Sequence, residues 1–145
     1  MTAFALANRF VGQIKELPGQ QDHPFIQWCH SLCHLGMHQP DEVPWCSSFV
    51  NAVAWMLTLP RSGSAAARSW LAVGLPVESL PQAVVGFDVV VFKRGTNPAL
   101  GHVGFYGGHT DTQVFCLGGN QGNAVSLAAF PVRDLVAIRR LQVSP

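Results

Sequence analysis

Phe87-Asp88-Val89-Val90-Val91-Phe92-Lys93, followed after a short proline-bearing loop by Gly101-His102-Val103-Gly104-Phe105-Tyr106, marks the point where the chain changes its period. The first segment is a run of β-branched and aromatic residues and the second is short and bounded by glycines, so both read as strands. Downstream, residues 113–117 alternate, and residues 125–130 and 135–141 complete a set of about five strands. Upstream the spacing is helical. Ala7, Phe10, Val11, Ile14 and Leu17 predict a first helix that Pro18-Gly19 stops. Pro24 opens a second, with Phe25, Ile26, Cys29, Leu32 and Cys33 as its apolar stripe up to Gly36. A third is predicted from Trp45, with Phe49, Val50, Val53, Ala54 and Leu57 inward and Pro60 ending it. A fourth runs from a cap at Ser62 or Ser64 through Ala65, Ala66, Ala67, Trp70 and Leu71 to Gly74. Helices first and mostly antiparallel strands afterwards, without βαβ alternation, predict an α+β fold with the helices on one face of the sheet.

The 145 residues are expected to form one domain, residues 1–145, with no repeat, linker or low-complexity tract. Hydrophobic residues make up 48% and charged residues 12%, with a net charge of +1, so no electrostatic footprint exists for nucleic acid or an anionic membrane. The densest basic cluster is Arg139-Arg140. No apolar run approaches the roughly 18–20 residues of a membrane span, and Asn8, Arg9, Lys15 and Glu16 interrupt the apolar pattern of the N-terminus. Without a signal peptide the protein is expected in the cytoplasm of its producer unless something else carries it out. The 4 cysteines, Cys29, Cys33, Cys46 and Cys116, are too few and too loosely spaced for a disulfide framework and read as reduced thiols.

Cys46 stands at the predicted start of the third helix, in Pro44-Trp45-Cys46-Ser47-Ser48-Phe49. Unpaired N–H groups and the positive helix end favour a thiolate, the nucleophilic form, and depress its pKa; the Cys46 N–H also faces where an oxyanion would form. A lone cysteine is more often a buried structural residue, and only the helix-start position narrows that gap. His102 shares one strand face with Gly104 and Tyr106, and small Gly104 leaves room beside its imidazole. Alone it reads as an ordinary histidine; with a helix-start cysteine it becomes a candidate base. In Leu117-Gly118-Gly119-Asn120-Gln121-Gly122-Asn123, Gly122-Asn123 is a plausible tight turn, and Asn120, with Gln121 as runner-up, is the candidate to orient the imidazole. Spacing does not decide between the two. Cys29, His30, Cys33, His34 and His38 form a competing metal constellation. It lacks a second ligand pair, and Cys29 and Cys33 already fill an apolar stripe, so no metal or other cofactor is expected. Trp45, Trp70 and Tyr106 are candidates to line a cleft, each equally well explained as core.

Ordered blocks of this chain, Glu16-Leu17-Pro18-Gly19, residues 41–51, residues 63–71, Val89-Val90-Val91-Phe92 with Arg94-Gly95, residues 101–106 and residues 117–121, resemble the small cysteine hydrolases of the CHAP and NlpC type, and in particular a phage endolysin-like family. The likeness extends from about residue 14 to residue 141. It departs from the family's pattern where Phe87 separates Gly86 from Asp88, and in a shorter loop 96–100 that lacks the usual tryptophan. The resemblance implies a papain-like fold and cleavage of an amide bond in peptidoglycan, either within the stem peptide or between peptide and sugar. It implies Cys46 as nucleophile, His102 as base and Asn120 as orienting residue; the candidate substrate contacts read from the residues are Trp45, Trp70, Tyr106 and Gln121. Such an enzyme acts in the periplasm or cell wall after delivery, through a holin at phage lysis, on a phage tail, or as a secreted toxin with an immunity protein as partner. The rival expectation is a non-catalytic module of the same fold that grips peptidoglycan or a partner.

Overall fold

The strand half of the chain forms one six-stranded antiparallel sheet in the computed structural model, which describes residues 1–18, 23–33 and 44–142. The strands are β1 Leu75–Val77, β2 Asp88–Lys93, β3 Gly101–His109, β4 Gln113–Gly118, β5 Ser126–Pro131 and β6 Leu135–Arg140, in the order β1-β6-β2-β3-β4-β5. Five of them match the expected segments. β1 is the addition: three residues of the proline-bearing connector pair with β6 at the sheet edge, where Pro76 needs no inner partner for its missing N–H.

The helices are α1 Ala3–Asn8, α2 Pro24–Ser31 and α3 Cys46–Met56. α1 is shorter than its apolar spacing predicts. Gly12 at φ +78° turns the chain, and Ile14 accepts from the Val125 N–H while Lys15 bridges Ala124, so this segment joins the sheet side of the fold instead of continuing as helix. α2 ends at Ser31, before the expected stop at Gly36, which lies outside the described residues. The expected fourth helix is a 3-10 segment, Ala67–Ala72. Its predicted start is diverted because Asn51 takes the Gly63 N–H on its Oδ1 and donates to Ser62 Oγ and the Ser64 carbonyl.

Strand alternation sorts side chains onto two faces. Val89, Val91, Val103, Phe105 and Leu117 pack with Trp45, Phe49, Val50, Val53 and Trp70 beneath the helices. On the other face, Val90, Phe92, Tyr106, Val114, Cys116 and Ile138 form a second cluster, covered by Leu80, Ala83, Phe130 and Val132. Burial on both faces is why Val89-Val90-Val91-Phe92 is continuously apolar.

One ion pair ties β2 to β6. Asp88 is 1% exposed, and its oxygens accept from Arg140 Nε at 2.7 Å, Arg140 Nη2 at 2.8 Å and the Val84 N–H at 2.8 Å. Removing the guanidinium strands a buried carboxylate. Arg140→Met is therefore expected to lower unfolding free energy by about 2–3 kcal/mol, read as a fall in the urea midpoint at constant slope. An unchanged midpoint would mean that the pair only offsets its own desolvation.

Candidate active site

Two tryptophans and a serine-asparagine network seat the start of α3. Trp45 is its N-cap and offers no side-chain cap, which leaves the first-turn N–H groups free for another acceptor. Its indole is fully buried, donates to Glu16 Oε1 at 2.9 Å and packs against the exit of β4, where a Cβ on Gly119 would sit 2.6 Å from the ring. Glycine is therefore required there. Trp70, also fully buried, donates to Ser47 Oγ at 2.9 Å, and Ser47 Oγ donates to the Ser64 carbonyl at 2.6 Å. Tyr106 is 4% exposed, sits in the second apolar cluster and bonds through its hydroxyl to His109 Nδ1 at 2.6 Å. All three aromatic residues expected at a cleft are thus core residues, the two tryptophans seating the start of α3: burying rings of this size outweighs leaving them in contact with water.

Cys46 is the first residue of α3 and 4% exposed. The backbone N–H groups of Val103, Ser47 and Cys46 itself favour its anion. Val103, which follows His102 on β3, packs with Cys46 in the first apolar cluster. Burial nevertheless pushes the Cys46 thiol above its ordinary value, more than these N–H groups and the Arg94 charge bring it down. The thiolate expected from the helix start is replaced by a neutral thiol, because desolvation of the anion outweighs the fixed dipoles around it.

His102 is 3% exposed, and its ring stacks on Phe130 with centroids 5.0 Å apart. Its Nε2 and Gln121 Oε1 are 2.8 Å apart. The Gln121 amide nitrogen is committed elsewhere, donating to the Cys116 carbonyl at 3.1 Å and the Ser126 carbonyl at 2.8 Å. Only Oε1 is left to face the ring, so it must accept, and His102 Nε2 must carry the proton. The other nitrogen, Nδ1, is therefore the basic one, and it is buried without a hydrogen-bond partner. Burial holds His102 down to about 4, with the Gln121 bond opposing and the Arg94 charge reinforcing that shift. Thiol and imidazole are both neutral in the resting site.

The contact expected of Asn120 is made by Gln121. Two residues beyond β4, Asn120 has φ +59°, and Gly122 and Asn123 follow at φ +63° and +61°, the expected tight turn, closed by the Gln121 N–H on the Ala124 carbonyl. The turn brings Gln121 back over the strand ends, where its longer side chain spans β3, β4 and β5; Asn120 lines the cavity beside His102. Gln121 thus serves the imidazole and is not a free substrate contact. Nor does Gly104 make room for the ring: a Cβ there would collide with Cys116 Sγ, the atom that fills the space.

Two cavities flank Arg94. Cys46 opens on one of about 280 Å³, walled by Ala65, Ala66, Ala67 and Leu100, and His102 on one of about 510 Å³, with Asn120, Ser126 and Phe130; Arg94 lines both. Arg68 Nε donates to the Leu100 carbonyl at 2.7 Å and holds loop 96–100 beside the thiol. Roomier cavities of about 670 and 720 Å³ lie elsewhere and carry neither thiol nor imidazole. Arg94, Leu100 and Phe130 went unmarked as site residues in the sequence; the one available signal was that Arg94 and Leu100 flank the segment leading into His102.

On α2, Cys29 is buried and its thiol pushed up by that burial, and His30 Nδ1 is bonded to Ser48 Oγ at 2.9 Å. His34 and His38 lie outside the described residues. Among the described residues no three His, Cys, Asp or Glu side chains converge as a metal site, and no helix is long and apolar enough to cross a membrane. No family model, curated protein or solved structure matches the chain.

Proposed function

We propose that this protein is a papain-like cysteine hydrolase that cleaves an amide bond of bacterial peptidoglycan, with Cys46 as nucleophile, His102 as base and Gln121 as positioning residue. One observation carries the reading. A buried imidazole with its Nε2–H fixed by Gln121 keeps an unpartnered, basic Nδ1, and Arg94 lines both its cavity and the one on which Cys46 opens. An unsatisfied buried nitrogen costs about 1–3 kcal/mol, a cost that makes sense for a group held ready to take a proton. The choice of peptidoglycan comes from the sequence resemblance, and with it the delivery of the enzyme to the cell wall by a holin, a phage tail or a secretion system.

The mechanism follows from the neutral pair. Cys46 Sγ attacks the scissile carbonyl as His102 Nδ1 takes the thiol proton, and the developing oxyanion falls to N–H groups at the start of α3. The imidazolium donates from Nε2 to Gln121 and returns the Nδ1 proton to the departing amine. Water, deprotonated by Nδ1, then attacks the thioester and releases the carboxylic acid, restoring the thiol.

Purified sacculi are expected to clear without added metal, and prior alkylation of the protein is expected to stop it; clearing that survives alkylation would rule out the thiol. The acid limb carries a second test. A base held down to about 4 stays unprotonated at pH 5, so kcat/KM is expected to fall only as pH drops toward 4. A half-point near 6.5 would place the base in water, not in the site described.

A further inference from the structure

We infer that Arg94 is the specificity residue of this site, taking a free carboxylate on the substrate residue beside the scissile amide; the inference rests on the hydrolase reading. Arg94 follows β2 directly, and Gly95 at φ +65° turns the chain after it. It is the one charged residue lining both the Cys46 cavity and the His102 cavity. A substrate whose scissile amide reaches both Cys46 and His102 therefore lies beside it. Among the described residues the guanidinium has no acidic partner, the only ion pair being Arg140 with Asp88. A planar fork of donors at such a crossing suits a carboxylate, which it can bind bidentately.

The same placement links recognition to chemistry. The Arg94 charge works against protonation of His102, the step on which attack depends. A substrate carboxylate seated on Arg94 neutralises that charge as the proton moves, whereas a carboxamide does not. The favoured substrate class is thus a stem peptide with a free carboxylate flanking the cut bond, in preference to its amidated form.

The test uses two synthetic stem peptides that differ only in carboxylate or carboxamide at that residue. Wild-type protein is expected to favour the carboxylate by roughly tenfold or more in kcat/KM, and Arg94→Gln to reduce the preference to within about twofold. Equal rates in wild type, or a preference that survives Arg94→Gln, would overturn the inference while leaving the hydrolase reading in place. If wild type cuts neither peptide, the hydrolase reading fails by itself. Binding to Cys46→Ala then decides Arg94 separately: tighter binding of the carboxylate form, lost in Cys46→Ala/Arg94→Gln, supports it, and equal binding overturns it.

Discussion

Cys46→Ala is expected to abolish peptidoglycan cleavage, lowering the rate by about 10⁴-fold or more, while the protein stays folded. Two features separate this outcome from a general loss of structure. The substitution removes one sulfur from a side chain that borders a cavity of about 280 Å³, so packing around it changes little. The seating of α3 depends on contacts of Trp45, Ser47, Asn51 and Trp70 with Glu16, with the Ser64 carbonyl and with one another, none of them made by that sulfur. Thermal midpoint and circular dichroism should stay close to wild type while the initial rate of new amine release drops to background. A variant that retained a tenth of the activity would move the nucleophile elsewhere. Cys29, Cys33 and Cys116 are the remaining thiols, all buried and all pushed up by burial.

The second large effect belongs to the imidazole and the amide that fixes it. His102→Ala should cost about 10²–10⁴-fold in kcat, the usual worth of a positioned base. Gln121→Leu removes the acceptor for Nε2–H, frees the tautomer and should cost kcat more than KM. Gln121→Glu restores an acceptor oxygen and adds a charge that favours the imidazolium, so the acid limb of the rate profile should move to higher pH. A merely structural glutamine would not move that limb. Folding carries the same signature. His102 titrates near 6.5 when unfolded and near 4 when folded, so below 6.5 the unfolded chain binds the extra proton. Stability is therefore complete above pH 6.5 and is lost as pH falls toward 4, by up to about 3 kcal/mol. His102→Gln should flatten that slope in urea midpoints measured across the interval.

Local sequence carries much of this architecture. The change of period at residue 87 is a local signal, and so is the alternation that puts His102 and Tyr106 on one face and Val103 and Phe105 on the other. The three-residue β1 is too short, and too marked by Pro76, to register as a strand. Gly12 cuts α1 short by a backbone turn that apolar spacing does not reveal. At the site, the failures are tertiary. Asn120 and Gln121 are neighbours, and only the turn dihedrals decide which of them reaches the ring. Trp45 and Trp70 carry both a polar N–H and a large apolar face, and sequence cannot tell an indole bonded to Glu16 or Ser47 from one lining a cleft. The thiolate expectation fails for the same reason: a helix start is visible in sequence, whereas the surface packed over its first residue is not.

The chemistry is tested most directly by mass spectrometry of muropeptides released from purified peptidoglycan by wild-type protein and by Cys46→Ala. Products separated at an amide bond, each pair heavier than its precursor by one water, should accumulate with wild type and be absent with the variant. Walls left intact by both proteins, or identical products from both, would contradict a cysteine hydrolase at this site.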